Sequence, residues 1–189
     1  PTVLKDLLYD GLVHEHISLF SLTTLEYILN KVGLKVFWAE ETLVNSGSLL
    51  VFTCRNRCER FDNEEKLNKL KKIRLKEFDA ELDESKTYES FRDRVSQHSR
   101  DLKTLLIKLK KEGKNIHIYG ASTKLNTILS FVGIGPELID CAAERDPRKW
   151  GGRLLNGIPI VSEEESRKNV DVYLVGPYHF KENLLDREK

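Results

Sequence analysis

Methionine is absent from this sequence, and cysteine occurs only three times among its 189 residues. We expect a chain without an initiating methionine to be a processed protein or a piece excised from a longer one. Cys54 and Cys58 lie close together but have no second pair to complete a metal site, and an odd number of thiols cannot all form disulfides. We therefore expect neither a disulfide framework nor a metal centre.

Long apolar runs are also missing. No stretch approaches the roughly 20 apolar residues that a membrane-spanning helix needs, and the N-terminus lacks the basic, apolar and small-residue order of a signal peptide. The 31 basic and 30 acidic residues nearly cancel, so no broad charge of one sign would attract nucleic acid or an anionic membrane. These absences predict a cytoplasmic protein that binds neither nucleic acid nor membranes. Any charged ligand would bind at a local cluster of charged residues.

The first part of the chain, 1–60, is predicted to be a small α+β segment. Apolar residues with helical spacing open it. These are Val3, Leu4, Leu7 and Leu8. Ser21 or Thr23 then caps a helix that ends at Gly33. Two strands and the turn between them follow, at 34–39, 48–53 and 45–47.

A connector of long charged amphipathic helices is predicted over 61–112. Apolar residues form a stripe along each of two helices, with a break at 83–86, and interleaved acids and bases form the solvated faces. A structural domain that self-associates through these helices is one hypothesis for the chain.

The last part, 113–189, changes to short apolar strands that alternate with helices. The predicted order is strand, helix, strand, helix, strand, at 115–120, 122–132, 138–143, 162–168 and 170–175. Short connections in this order build a parallel sheet through right-handed crossovers. We predict the α/β class: a three-stranded, Rossmann-like parallel sheet with flanking helices, preceded by the α+β segment and the charged helices.

The loop after the first strand of this sheet is a candidate binding site. Ligands of parallel α/β sheets bind where the carboxyl ends of strands feed helix N-termini. Gly120 permits a turn there, the hydroxyls of Ser122 and Thr123 and the free helix amides can donate, and Lys124 adds a positive charge. These groups predict an anion site. The alternative is that Ser122 only caps the helix, and the loop is neither a dinucleotide fingerprint nor a Walker loop.

Two further strand ends are predicted to reach the same edge. The second strand runs into Glu144, close to where dinucleotide-binding folds place an acid for a ribose hydroxyl. Arg145 and Lys149 beside it favour an anionic ligand. The third strand runs into a segment that contains His179.

Residues His14, Glu15 and His16, the His-Glu-His segment, are the candidate catalytic group. If this segment is extended, the two histidines share one face and Glu15 lies on the other. A histidine titrates near neutral pH and a carboxylate raises its basicity, so the trio can remove a proton from a hydroxyl or from carbon next to a carbonyl. Zinc would need a third ligand at a recognisable spacing. A hydrogen-bonded structural histidine pair is the other alternative.

These motifs resemble, in order, the C-terminal domain of S-adenosylmethionine (SAM)-dependent C-methyltransferases that act on nucleotide-linked deoxysugars. Members carry Tyr-His-Glu-His-Leu-Ser-Tyr-Phe-Ser-Leu, similar to Val-His-Glu-His-Ile-Ser-Leu-Phe-Ser-Leu here, and His-Gly-Gly-Ser-Leu-Arg, similar to Asn-Ser-Gly-Ser-Leu-Leu. The other similar segments are Gly-Ala-Ser-Thr-Lys at 120–124, Gly-Ile-Gly-Pro at 133–136, Asp-Pro at 146–147 and Gly-Ile-Pro-Ile-Val at 157–161. The resemblance spans nearly the whole chain.

The resemblance implies a carbon methyl transfer to a nucleotide-linked keto-deoxysugar. His16 is the implied general base, with Glu15 and His14 as orienting or polarising partners. Ser122, Thr123, Lys124 and Asn126 are implied to line a ligand pocket. SAM is implied to bind to a missing N-terminal domain rather than to this chain, so the isolated chain should be inactive. The alternative is a non-catalytic module of the same fold that binds a sugar nucleotide or another anion.

The sequence also departs from the family pattern. Val13 and Leu19 stand where members have tyrosines, and Leu125 stands where a glycine is usual. Asn45 and Ser46 replace a His-Gly pair. The tyrosine hydroxyl missing at Val13 removes a hydrogen bond that could stabilise an enolate in a desolvated site.

Overall fold

The computed structural model describes residues 1–42, 44, 47–61, 63–176 and 181–187. The chain divides into two compact units. Unit 1 comprises Pro1–Leu8 and Ile17–Asp93, and unit 2 comprises Tyr9–His16 and Arg94–Lys189. The His-Glu-His segment therefore belongs to the same unit as the C-terminal sheet.

Unit 1 begins with a single helical turn. Helix α1 (Thr2–Lys5) ends early because Leu7 adopts a positive φ of 54°, which an α-helix does not allow. The prediction that the helical pattern continues to Leu8 is therefore wrong. Helix α2 (Leu22–Lys31) confirms the capped helix, since the Ser21 side chain accepts a hydrogen bond from the Thr24 N–H.

A two-stranded hairpin and a long helix complete the core of unit 1. Strands β1 (Leu34–Thr42) and β2 (Ser48–Arg55) pair antiparallel, as predicted, while two residues of the predicted turn, 45 and 46, lie outside the described residues. Helix α3 (Glu64–Asp79) packs against β1, and apolar side chains fill the space between these elements. The buried residues are Leu22, Val36, Ala39, Leu70 and Ile73.

Helix α4 (Ser85–Lys111) follows α3 after a short break, which confirms the two predicted amphipathic helices. Most residues of α4 are charged or polar, and only Val95 and Leu106 of this helix are buried. No helix within the described ranges is both long and apolar enough to cross a membrane.

The sheet of unit 2 has four parallel strands in the order β5-β4-β3-β6. These are β3 (Ile116–Tyr119), β4 (Cys141–Glu144), β5 (Ile160–Ser162) and β6 (Val172–Val175). The flanking helices are α5 (Thr123–Val132), α6 (Glu163–Arg167) and α7 (Lys181–Arg187). The predicted Rossmann-like α/β class is confirmed, but the predicted number of three strands is wrong.

The prediction differs from the structure at β5, which accounts for the strand count, and at the start of β4. Strand β5 is only three residues long, too short for an alternating pattern to be recognised in the sequence. Strand β4 begins later than predicted, because the N–H groups of Leu138 and Ile139 both donate to the Gly135 carbonyl and so form a turn.

The core of unit 2 lies between the sheet and its helices. Strand β3 is buried along its whole length, including the polar residue His117. Burial of His117 is accommodated because its Nδ1 lies 2.7 Å from the Ser166 Oγ, which in turn lies 3.0 Å from the Tyr173 hydroxyl. Leu125 and Leu129 of helix α5 fill the space above the sheet.

Candidate active site

The loop between β3 and α5 has the geometry expected of a strand end that feeds a helix. Gly120 has a φ of 90°, and its N–H donates to the Ala143 carbonyl at 2.8 Å. Ser122 caps α5, because its Oγ accepts a hydrogen bond from the Leu125 N–H at 3.3 Å. Ser122 therefore does cap the helix, as one of the two alternatives for this loop predicted. The Thr123 side chain is exposed.

Glu144, at the end of β4, holds this loop from the side. Its Oε2 accepts hydrogen bonds from the Ala121 N–H at 3.1 Å and from the Lys149 Nζ at 2.9 Å. Its Oε1 accepts from the N–H groups of Arg145 and Asp146 at 2.9 and 3.0 Å. Both carboxylate oxygens are therefore used inside the protein, and Glu144 does not have the free oxygens that a ribose-binding acid needs.

The protonation of Glu144 follows from these bonds. Burial by itself would raise the pKa of its carboxyl group, but the hydrogen bonds from Asp146 and from the Lys149 side chain, with the charge of Lys149, lower the pKa overall. Glu144 is thus an ionised structural group. Its four hydrogen bonds, to Ala121, Lys149, Arg145 and Asp146, connect the loops after β3 and β4 and are called the Glu144 clamp below.

The two predicted cations near β4 differ in their surroundings. The Lys149 ammonium group is bonded to Glu144 and also donates to the Ala121 carbonyl at 3.0 Å, so it holds the loop in place. The Arg145 side chain is exposed and forms no ion pair with any described residue. Of these two cations, Arg145 can bind an anion without breaking a hydrogen bond within the protein, whereas Lys149 cannot.

Asp10 is a further candidate residue, which the sequence pattern does not reveal. It lies in a 3-10 turn, Tyr9–Gly11, and is only 7% exposed, yet it is an acid. Its Oδ2 lies 3.9 Å from the Nζ of Lys124, and the turn contacts helix α5. The pair connects the segment before His14 to the β3–α5 loop. A buried aspartate gives no periodic signal in a sequence, and its partner lies far along the chain.

The His-Glu-His segment forms a turn rather than an extended strand. The His16 N–H donates to the Val13 carbonyl at 2.9 Å, which closes the turn. The extended conformation, in which His14 and His16 would share one face, is therefore not adopted, and no strand pairs with this segment among the described residues. His14, Glu15 and His16 are all exposed.

The contacts within this segment separate the two imidazoles. The His14 Nε2 lies 3.7 Å from a Glu15 carboxylate oxygen. The His16 Nδ1 instead lies 2.7 Å from the Gly11 carbonyl oxygen. Glu15 is thus the partner of His14, and a backbone carbonyl is the partner of His16.

Two predicted ligand-binding residues remain. The Oδ1 atom of Asn126 is buried and has no hydrogen-bond partner among the described residues, so it is an acceptor that a ligand donor can satisfy. His179 lies outside the described residues. Within the described ranges, no group of three or more His, Cys, Asp or Glu residues is placed to hold a metal ion.

A curated relative is similar to this chain over nearly its whole length. C-methyltransferase NovU of Streptomyces niveus is 29% identical over 190 residues, which cover 99% of this chain and therefore include the His-Glu-His segment. The chain spans 44% of the length of that relative.

A family model gives the more specific result. The model of the C-methyltransferase C-terminal domain matches residues 43–189, more than three quarters of the chain. This match contains the hairpin strand β2, the charged helices and the entire Rossmann-like sheet with the Glu144 clamp. The chain therefore belongs to the C-methyltransferase C-terminal domain family.

Proposed function

We propose that this chain is the C-terminal part of a SAM-dependent C-methyltransferase that acts on a nucleotide-linked keto-deoxysugar. The observation that carries the proposal is the attachment of the His-Glu-His segment to the β3–α5 loop. The exposed His16 is bonded to Gly11, and the preceding Asp10 faces Lys124. A base and a cationic loop therefore occupy one compact unit, as deprotonation of an anionic substrate requires.

In this proposal, His16 is the general base. It takes the proton from the carbon next to the sugar carbonyl, and the electron pair of the broken C–H bond moves onto the carbonyl oxygen as an enolate. The methyl group for this carbon would come from SAM held by another segment of the longer enzyme, and the residues of this chain would contribute only the deprotonation and the binding of the sugar. His14 and Glu15, 3.7 Å apart, form a neighbouring polar pair that polarises the carbonyl side of the substrate.

The β3–α5 loop is proposed to bind the diphosphate of the substrate. Helix amides, the Thr123 hydroxyl and the Lys124 ammonium group provide donors and positive charge for phosphate oxygens. Arg145 adds a second, exposed cation. Lys149 contributes by holding the loop through Glu144, and Asn126 offers its buried oxygen to a sugar or base donor. His179 and Ser122 remain part of the proposed pocket.

The residues of this chain do not fit an adenosine site for SAM at the same edge. Both oxygens of Glu144 are bonded within the protein, so they cannot bind the ribose hydroxyls. Leu125 lies against Gly176 at the end of β6, where an added Cβ atom would approach it to 3.0 Å. We therefore assign binding of the methyl donor to a segment of the enzyme outside this chain and expect the isolated chain to be inactive. We also propose that the enzyme acts in the cytoplasm.

Methyl transfer by the longer enzyme, encoded by the reading frame that contains this chain, tests the proposal. His16→Ala should lower kcat by about 10²–10⁴-fold, the usual contribution of a general base. Gln97→Ala, an exposed change on α4, is the matched surface control and should leave kcat unchanged. Wild-type turnover by His16→Ala would remove His16 from the mechanism.

The alternative function is a non-catalytic module that binds a sugar nucleotide, and Val13 favours it, because a family tyrosine hydroxyl is missing there. The methyl-transfer assay distinguishes the two functions, and calorimetry tests the binding that they share. Both functions predict binding of a nucleoside-diphosphate sugar that weakens in Lys124→Met, but only the enzyme transfers methyl groups. Heat from SAM binding to the isolated 189-residue chain would overturn the assignment of donor binding to another segment.

A further inference from the structure

We infer that the Gly11 carbonyl fixes the tautomer of His16, so that Nδ1 carries the proton and Nε2 carries the free electron pair. The inference deepens the proposed function and rests on it, because it assigns the basic atom of the proposed base. It also identifies Gly11 as a positioning residue that acts through its backbone.

The chemistry of the contact decides the tautomer. The His16 Nδ1 and the Gly11 carbonyl oxygen lie 2.7 Å apart, a short hydrogen bond. A carbonyl oxygen can only accept, so the Nδ1 atom must be the donor and must hold a proton. In the neutral imidazole the second nitrogen is then unprotonated. A solvated imidazole prefers the opposite tautomer, so the contact reverses the intrinsic preference.

The Gly11 carbonyl is held in place by a buried anchor. The Leu12 N–H donates to the Tyr9 carbonyl at 3.0 Å, which closes the 3-10 turn. Tyr9 is buried, its hydroxyl lies 3.0 Å from the His98 Nδ1, and its ring contacts the Phe131 ring. The turn that carries the acceptor of the His16 proton is therefore attached to helices of unit 2 through the buried Tyr9.

The neighbouring carboxylate does not compete for His16. Glu15 lies beside His14, with 3.7 Å between the His14 Nε2 and the carboxylate oxygen. The His16 side chain is exposed. Its Nε2 is on the ring edge opposite the Gly11 contact and is thus the nitrogen that a substrate can reach. A proton bound at Nε2 would leave this nitrogen without a free electron pair and would block the proposed deprotonation.

Nitrogen NMR of the histidine side chains tests the inference directly. The intact 189-residue chain is labelled with ¹⁵N at histidine, and long-range proton–nitrogen spectra are recorded at a pH where imidazole is neutral. His16→Gln and His14→Gln assign the two signals. We expect His16 to show a protonated Nδ1 and an unprotonated Nε2. His14 is the internal comparison and should show the opposite pattern, with Nε2 protonated, because its Nε2 faces the Glu15 carboxylate.

Two variants connect the signal to the anchor. Gly11→Ala keeps the carbonyl and has no atom within 4 Å of the added Cβ, so the His16 tautomer should be unchanged. Tyr9→Ala removes the anchor and should shift the His16 nitrogens towards the pattern of a solvated ring, with more of the Nε2-protonated tautomer. If Tyr9→Ala does not fold, the wild-type spectrum alone decides.

The outcome also separates this inference from the proposed function. A wild-type His16 protonated at Nε2, or with both tautomers equally populated, overturns the inference whatever the activity. Full activity of His16→Ala in the longer enzyme overturns the proposed function, even if the Nδ1–H tautomer is observed.

Discussion

Replacing Glu144 with glutamine should destabilise unit 2 and loosen the β3–α5 loop. The carboxylate accepts four hydrogen bonds, two on each oxygen, and its side chain is only 12% exposed. Glutamine is nearly the same size but carries one acceptor oxygen and one donor nitrogen. The amide nitrogen must then face either the Lys149 ammonium group and the Ala121 N–H or the two backbone donors after β4.

The magnitude follows from these bonds. Hydrogen bonds to a charged group contribute about 1.5–3 kcal/mol each, and a neutral bond contributes about 1 kcal/mol. Glu144→Gln keeps two of the four bonds, without the carboxylate charge, and turns the other two into contacts between donors. Because the loop relaxes and water reaches Lys149, which is 45% exposed, we expect a loss of about 2–4 kcal/mol rather than the full sum.

Tryptophan fluorescence during urea unfolding measures this loss. In a Trp38→Phe background Trp150 is the remaining tryptophan, and its Nε1 donates to the Glu144 carbonyl, so the signal reports on unit 2. Glu112→Gln, an exposed change just after α4 in unit 2, is the matched control and should cost less than about 0.5 kcal/mol. A comparably small cost for Glu144→Gln would refute the clamp.

The pH dependence gives an independent check. The pKa of Glu144 is lower in the folded than in the unfolded protein. Its contribution to stability is therefore fully present above the unfolded pKa of about 4.3 and is lost as the pH falls through the folded value. The stability gap between wild type and Glu144→Gln should narrow in acid. A gap that widens there would contradict the reasoning.

Two further predictions concern the core of unit 2. Burial lowers the pKa of His117, so the unfolded chain takes up a proton that the folded chain refuses, and stability should fall as the pH drops below about 6.5. His117→Phe should flatten this slope in a plot of Tm against pH, and an unchanged slope would contradict the role of burial. Leu125→Ala should cost about 2–5 kcal/mol in urea unfolding, because Leu125 is 2% exposed. The exposed Thr123→Ala is its control, and equal costs would show that Leu125 is not tightly packed.

Local signals predicted most of the fold. Ser21 and Ser122 each precede an apolar helical stripe, and each caps the predicted helix. The alternation of apolar strands with helices was sufficient to predict parallel pairing, since a short helical connection returns the chain in the same direction. Strand β5 was missed because three residues carry too little periodicity and because α6 follows it directly.

The candidate site was less predictable because its geometry depends on contacts distant in sequence. His16 was identified from residue type and from the family resemblance, but its hydrogen-bond partner is a backbone carbonyl, which no side-chain pattern reveals. Asp10 pairs with a lysine in a different part of the chain. Glu144 was read as a ligand-binding acid, and only the structure shows that loop N–H groups occupy both of its oxygens.

Hydrogen exchange at the substrate carbon tests the central claim, that His16 ionises a carbon acid, most directly. The longer enzyme is incubated in D₂O with a nucleotide-linked keto-deoxysugar and without SAM, and the sugar is analysed by mass spectrometry. The wild type should incorporate deuterium next to the carbonyl, and His16→Ala should lose this exchange while still binding the sugar nucleotide. Exchange by His16→Ala at the wild-type rate would contradict the account.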